Sequence, residues 1–163
     1  SEKAIELAKE NNQLLNLNIE YFQADVEYLS LFKENSFDGV ISFSTLRYVS
    51  NLNKALKEIN RVTKKGGKIT LDFPNKYCPW FNILKKYFGL GKHINDHYFS
   101  INELSNLFQE AGFSEIEARK IMFTHYTFKP YFLLLYRLID FLLEKTFLIK
   151  ETAAIIVCKG KKL

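Results

Sequence analysis

The sequence is poor in the residues that build disulfide frameworks and metal sites. It contains two cysteines, Cys78 and Cys158, which lie far apart, and three histidines. Such cysteine usage fits neither a disulfide scaffold nor a zinc motif. His93 and His97 are four residues apart, but neither the remaining histidine, His125, nor a carboxylate-rich partner sequence supports them as metal ligands. No metal site is therefore predicted.

Glycine is also scarce, and it is badly placed for a phosphate-binding loop. Among the seven glycines only Gly89-Leu90-Gly91 has the G-x-G form, and it follows no predicted strand. Dinucleotide-binding folds place such glycines directly after the first strand, where backbone N–H groups can approach the ligand. The absence of this fingerprint disfavours a nicotinamide-dependent enzyme.

Long hydrophobic runs and dense charge clusters are absent as well. No uncharged apolar run approaches the ~20 residues needed to span a bilayer, and the N-terminus does not resemble a secretory signal. The net charge of +5 is dispersed, apart from residues 159–162, and so does not predict a nucleic-acid partner. We expect one soluble, cytoplasmic domain over residues 1–163, a length that can bury a substantial core.

The remaining sequence alternates between strand and helix patterns. Apolar segments bounded by turn residues predict strands at 19–23, 37–43, 68–73, 116–121 and 152–159. Periodic apolar positions and capping residues predict helices at 1–12, 26–32, 52–62, 101–111 and 128–149.

The stretch from Ala24 to Asn75 carries the most specific pattern. Its parts are, in order, Ala24-Asp25, then SFDGVIS at 36–42, LRYV at 46–49, RVTKKGGKI at 61–69 and Pro74-Asn75. Their order and spacing resemble the middle of the class I S-adenosylmethionine-dependent methyltransferases that act on small molecules. The resemblance implies an α/β fold with a Rossmann-like methyltransferase sheet, mostly parallel with an antiparallel last strand. It also implies S-adenosylmethionine as the cofactor.

One part of the family pattern is missing from these residues. The family's glycine-rich first loop has no counterpart, and the opening helix resembles the one that follows the family's second strand. The resemblance therefore implies that the N-terminal βαβ unit is incomplete. We expect this chain alone to bind the cofactor poorly, since each missing hydrogen bond is worth ~0.5–1.5 kcal/mol.

The resemblance also implies where the cofactor lies. Asp25 would accept from the adenine amino group and Val26 would pack on its ring, although Asp25 is also a favoured cap for a following helical turn. The segment at the carboxyl end of the next strand would border the methionine part of the cofactor, through Ser42, Phe43, Ser44 and Leu46.

On the acceptor side, the resemblance implies substrate contacts at Tyr48 and Tyr98. Family members usually have histidine where Tyr48 stands, and tyrosine can stack or donate a hydrogen bond but is no general base near neutral pH. His97 and His125 are the imidazoles available as a base, and each is alternatively a pocket or surface residue. The predicted function is methyl transfer to a small, hydrophobic or lipid-like acceptor. The alternative is a non-catalytic methyltransferase-like domain that acts as an interaction module.

The predicted helix at 128–149 is unusually apolar. It has a broad apolar surface and a narrow polar stripe at Arg137, Asp140 and Glu144. The resemblance implies a helical insertion at about 125–150, where family members often cover the acceptor site. The helix could pack on the chain's own core or in a homodimer, or it could cover an apolar acceptor. Peripheral membrane contact is disfavoured because the polar stripe is not lysine-rich.

Overall fold

The computed structural model describes residues 2–79, 97–121, 133–146 and 149–163. The helices are α1 (Glu2–Leu14), α2 (Leu52–Val62), α3 (Ile101–Glu110) and α4 (Leu133–Lys145), and the strands are β1 (Phe37–Ser42), β2 (Thr63–Pro74), β3 (Phe113–Ile121) and β4 (Ile155–Lys162). Two short 3₁₀ turns cover Leu46–Tyr48 and Ile149–Thr152.

The four strands form one mixed sheet in the order β1-β2-β4-β3. β1 pairs with β2 in parallel, whereas β4 is antiparallel to both β2 and β3. Three strands therefore share one direction and the last strand opposes them. This confirms the predicted fold class, a mostly parallel Rossmann-like sheet with an antiparallel last strand.

The core lies between one face of the sheet and the helices α2 and α3. Alternate residues of β2 point into it because side chains on a strand alternate between its two faces. Its members are buried and come from four elements: Ile69, Leu71 and Phe73 of β2, Leu56 and Ile59 of α2, Leu104 and Phe108 of α3, and Ile156 and Cys158 of β4.

Local signals placed α2 and α3 correctly. The Asn51 side chain accepts from the Lys54 backbone N–H at 3.0 Å and caps α2. Ser100 and Glu103 form the predicted capping box at the start of α3. Lys76 and Ser100 hydrogen-bond to the Glu103 carboxylate, and these contacts lower the pKa of that carboxyl to about 2. The box therefore keeps its charge-assisted bonds at any ordinary pH.

Several of the predicted boundaries or elements are wrong, and β2 begins five residues before the predicted 68. Residues 19–23 form no strand, because a strand requires a hydrogen-bonded neighbour and the described residues supply none. Residues 26–32 form successive turns instead of a helix. β3 begins three residues before the predicted 116, and β4 begins three residues after the predicted 152, where a 3₁₀ turn intervenes.

The glycine pair Gly66-Gly67, in the first half of β2, serves two separate physical needs. Gly66 has φ +75°, and a Cβ there would meet nothing within 4 Å. A Cβ on Gly67 would instead lie 2.8 Å from the Lys64 carbonyl oxygen and 2.9 Å from that of Asp38. Gly67 therefore allows the close approach of β1 to the start of β2.

We expect Gly67→Ala to lower the free energy of unfolding by about 2–3 kcal/mol, because rigid backbone atoms must move to admit the methyl group. Gly66→Ala is the matched control and should cost about 1 kcal/mol, the penalty of a left-handed conformation alone. Urea denaturation of both variants measures the difference. Equal losses would contradict the close approach at Gly67.

Candidate functional site

The segment that carries Asp25 and Val26 is fastened to α2 through Arg61. The Arg61 guanidinium donates from Nη1 to the Phe32 carbonyl at 3.0 Å and from Nη2 to the Leu29 carbonyl at 2.9 Å. Glu58 accepts from the Leu29 backbone N–H at 2.9 Å and pairs with Arg61 Nε at 2.8 Å. The Arg61 hydrogen bond lowers the pKa of the Glu58 carboxyl. Two side chains of α2 thus satisfy three backbone groups of an otherwise irregular segment.

We expect Arg61→Met to lower the free energy of unfolding by about 1.5–3 kcal/mol, since the hydrogen bonds lost involve a charged donor. The exposed Lys57→Met on the same helix is the control and should change stability by less than about 0.5 kcal/mol. Because the folded pKa of Glu58 is depressed, its contribution is complete above the ordinary carboxyl value and is lost as pH falls through the lowered value. The free energy of unfolding should therefore fall less steeply at acid pH in Arg61→Met than in the parent. An unchanged dependence on acid pH would contradict the pairing of Glu58 with Arg61.

Asp25 closes a turn at the end of this segment. Its Oδ1 accepts from the Glu27 backbone N–H at 2.9 Å, and its carbonyl accepts from the Tyr28 N–H at 2.9 Å. The Asp25 side chain thus accepts from a backbone N–H two residues later, as a helix-capping residue does, but no helix follows this turn. The Glu27 carboxylate in turn accepts from the Asn51 N–H at 2.8 Å, which joins the turn to the start of α2. Val26 is half-buried and packs against the core.

These turns form one wall of an open cleft of about 920 Å³. The opposite wall is the segment that contains the first 3₁₀ turn. The lining residues are Gln23, Ala24, Asp25, Val26, Glu27, Thr45, Tyr48, Val49 and Ser50. The cleft lies beyond the carboxyl end of β1, the position where open α/β sheets bind ligands. It unites Asp25, Val26 and Tyr48 from the predicted site.

The loop after β1 is held by an aspartate that the sequence did not single out. Asp72 is 9% exposed, and its Oδ1 accepts from the Ser44 backbone N–H at 2.6 Å. Ser44 has φ +54°, a left-handed conformation that a non-glycine residue adopts only under restraint. The one signal for this role is an acidic residue inside the apolar run of β2. Asp72 therefore fixes the conformation of the loop.

The other predicted cofactor residues of this loop differ in the solvent exposure of their side chains. Phe43 is 55% exposed and Ser42 is half-buried. Leu46 is 1% exposed and packs in the core. The Leu46 side chain thus supports the loop from below the cleft, while Phe43 lies at the surface. Cofactor contacts at these positions stay predictions.

The two predicted acceptor-side tyrosines meet around Arg47. The Arg47 guanidinium carbon lies 5.3 Å from the Tyr48 ring centroid and 6.0 Å from that of Tyr98. The Arg47 carbonyl accepts from the His97 backbone N–H at 3.3 Å, and the Phe99 N–H donates to the Pro74 carbonyl at 2.9 Å. These bonds bring 97–99 beside the end of β2. Sequence reasoning missed Arg47, whose role depends on residues distant in the chain.

His97 is exposed, and its ring lies 6.4 Å from that of Phe99. His125, the other predicted imidazole, lies outside the described residues. Within the described ranges, no group of His, Cys, Asp or Glu side chains could hold a metal ion. Both cysteines are buried, and burial raises the pKa of the Cys158 thiol to about 12. The charged and aromatic side chains that line the cleft are the carboxylates of Asp25 and Glu27 and the ring of Tyr48, and Arg47 lies next to that ring.

Comparison with known proteins identifies relatives of this arrangement. A family model described as a methyltransferase domain matches residues 1–71. A ubiquinone/menaquinone biosynthesis C-methyltransferase of Haemophilus ducreyi is 33% identical over 61% of this chain and 46% of its own length. A demethylmenaquinone methyltransferase of Staphylococcus haemolyticus is 32% identical over 73% of this chain and 57% of its own length. The chain thus spans about half the length of these relatives.

Among solved structures, an S-adenosylmethionine-dependent methyltransferase from Thermotoga maritima superposes with a TM-score of 0.65. It is 23% identical, and the match covers 89% of this chain and 65% of that protein. A likeness at this identity establishes the shared fold.

Proposed function

Because this chain belongs to the class I S-adenosylmethionine-dependent methyltransferases, we propose that it serves methyl transfer from that cofactor to a small, quinone-like acceptor. The observation that carries the proposal is the cluster of Tyr48 and Tyr98 around Arg47 beside the open cleft. Aromatic side chains at the edge of a cleft favour a flat aromatic ligand through offset or edge-to-face contacts. The names of the two curated relatives, which refer to quinone methylation, favour the same acceptor class.

The residues of the cleft suit the adenine end of the cofactor. Asp25 offers carboxylate oxygens that can accept from an amino group, and half-buried Val26 offers an apolar surface for a ring. The loop from Ser42 to Ser44, which Asp72 holds, would border the methionine end. The described residues include no glycine-rich loop, so they would contact only part of the cofactor.

The chemistry asks little of the protein beyond orientation. When bound, the cofactor supplies a methyl group on a positively charged sulfur. The sulfur is a good leaving group because it departs as a neutral thioether. The chain's contribution is to hold acceptor and methyl carbon in line, which converts binding into effective concentration. Tyr48 and Tyr98 would hold the acceptor ring, and Arg47 would favour its electron-rich, deprotonated form. Water or exposed His97 would take the acceptor's proton.

Binding of S-adenosylhomocysteine tests the cofactor part of the proposal. We expect weak binding, detectable by saturation-transfer NMR, that Asp25→Ala removes. Asp38→Ala is the matched control, since Asp38 is an exposed carboxylate that pairs with Lys64 outside the cleft. Absence of any saturation transfer from the wild-type chain to S-adenosylhomocysteine would contradict the site and favour the alternative of a non-catalytic interaction module.

A radiolabelled methyl-transfer assay tests the acceptor class. We expect transfer to a reduced naphthoquinone and none to an aliphatic amine of similar size. Tyr98→Ala should raise KM for the quinol, whereas Tyr77→Ala, at an exposed tyrosine that lies next to Lys76 and Lys120 and not in the Arg47 cluster, should leave KM unchanged. Transfer to the amine alone would overturn the quinone-like acceptor.

A further inference from the structure

One face of α4 is apolar and open to solvent. Leu134 is 83% exposed, and four further side chains of the same face are 50–54% exposed: Leu135, Leu138, Phe141 and Leu142. Their spacing of three, four and seven residues places them on a single stripe of the helix. Ile139 and Leu143 lie on the other side and are half-buried. The helix therefore presents its larger apolar surface to the outside.

This stripe continues into a cationic cleft of about 410 Å³ at the end of α4. Phe141 belongs to both surfaces, and the Lys145 ammonium lies 3.8 Å from the Phe141 ring centroid. The charged lining residues of the cleft are Arg119, Lys120, Lys145, Lys150 and Glu151. Glu151 pairs with Lys120 at 2.6 Å. Since the Lys120 side chain is only 6% exposed and is paired with Glu151, the cations that remain beside the five exposed apolar side chains are Arg119, Lys145 and Lys150.

We propose that the α4 stripe and this cationic cleft dock the protein on the surface of an anionic phospholipid bilayer. Interfacial helices bury an apolar face at the boundary between headgroups and acyl chains, and neighbouring cations attract anionic headgroups. No helix in the described ranges is long and apolar enough to cross a membrane, so the contact is a surface contact.

The sequence of α4 alone disfavours membrane contact because most of the cations of the cleft come from other elements of the fold. The polar residues of α4 are mixed in sign, as its stripe of Arg137, Asp140 and Glu144 shows. The fold adds Arg119 from the end of β3 and Lys150 from the Ile149–Thr152 turn. An interfacial surface is thereby assembled from three separate elements.

Charge also favours a lipid surface over a second copy of the chain. Two α4 stripes paired in the same direction would bring two cationic clefts close together, and like charges opposed across an interface are costly. An antiparallel pair would cover the stripes but would leave both clefts without an anionic partner. An anionic bilayer instead neutralises the cleft while covering the stripe. This docking goes beyond methyl transfer and does not depend on it.

Co-sedimentation with vesicles tests the proposal. We expect binding to vesicles of phosphatidylcholine with phosphatidylglycerol, at least about fivefold weaker binding to phosphatidylcholine alone, and weaker binding in high salt. Leu138→Asp should reduce binding about tenfold by placing a charge in the apolar stripe. Leu14→Asp, at an 81% exposed position of α1, is the matched control and should bind normally.

A second pair of variants tests the cleft. Lys145→Glu should weaken binding about fivefold, whereas Lys57→Glu, which changes net charge equally at an exposed position of α2, should not. Circular dichroism melting confirms that each variant is folded. Equal binding to both vesicle types, or a solution dimer that Leu138→Asp dissociates without any vesicle binding, would overturn the proposal. Neither result depends on cofactor binding or methyl transfer.

Discussion

Replacing Asn75 with aspartate is expected to lower the free energy of unfolding by about 3–5 kcal/mol. Asn75 is fully buried, and its side-chain nitrogen donates to the carbonyls of Glu151 at 2.9 Å and Ala153 at 2.7 Å. Its side-chain oxygen accepts from the Tyr77 N–H at 3.1 Å. A carboxylate would face two carbonyl oxygens without a donor in a site sheltered from water.

The large expected loss of stability follows from the position of Asn75 between two central strands. It directly follows β2 and joins that strand to the segment that leads into β4, where its backbone N–H also donates to the Ala154 carbonyl at 2.9 Å. Loss of this junction therefore weakens the pairing of the two central strands of the sheet. Local rearrangement cannot easily supply water, because the side chain is enclosed.

Urea denaturation measures the effect, with Asn11→Asp on exposed α1 as the control, which should stay within about 0.5 kcal/mol of the parent. The deficit of Asn75→Asp should shrink as pH falls, because burial raises the pKa of the introduced carboxyl and the protonated form can donate again. A variant as stable as the parent at neutral pH would show that Asn75 does not join these segments.

Local chemistry in the sequence was enough to predict the scaffold of the site. The spacing of Leu52, Ala55, Leu56 and Ile59 defines the buried face of α2, and Ser100 with Glu103 marks the start of α3. Each signal depends only on neighbours within one or two turns of the chain. The apolar run after Gly67 likewise indicated β2 without reference to other elements.

Features that depend on distant residues could not be predicted in this way. Residues 19–23 have strand composition, yet strand formation depends on a pairing partner that no local pattern reveals. The contact between Asp72 and Ser44, and the grouping of Tyr48 with Tyr98, exist only once β1 and β2 are paired. The sequence pattern predicted site residues at the ends of strands, one of which does not form, and it did not identify Arg47 and Asp72, which contact Tyr48 and Ser44.

The orientation of α4 illustrates the same limit. Its composition allowed packing on the core, covering of an acceptor or contact with a membrane. Periodicity defines an apolar face but not the direction in which that face points. Contacts with β3 and with the Ile149–Thr152 turn determine the outcome and leave Leu134 and its neighbours exposed.

Replacing Asp72 with alanine is expected to abolish detectable binding of S-adenosylhomocysteine. The bond from the Ser44 N–H to Asp72 is short and involves a charged acceptor, and such bonds are worth about 1.5–3 kcal/mol. Without it, nothing offsets the cost of the left-handed conformation at Ser44. The loop would then spend most of its time in other conformations, and binding would carry the cost of restoring it, about ten- to a hundredfold in affinity.

A graded series separates this positioning role from a general loss of stability. Asp72→Asn keeps an oxygen acceptor without the charge and should weaken binding only several-fold, whereas Ser44→Gly should bind nearly as the parent because glycine adopts positive φ without strain. Thr70→Ala, half-buried on the same face of β2, is the control. If Asp72→Ala binds the ligand as the parent does, the loop is not part of the cofactor site. If Asp72→Ala with Ser44→Gly regains binding, the carboxylate acts through the conformation of Ser44 and not through contact with the ligand.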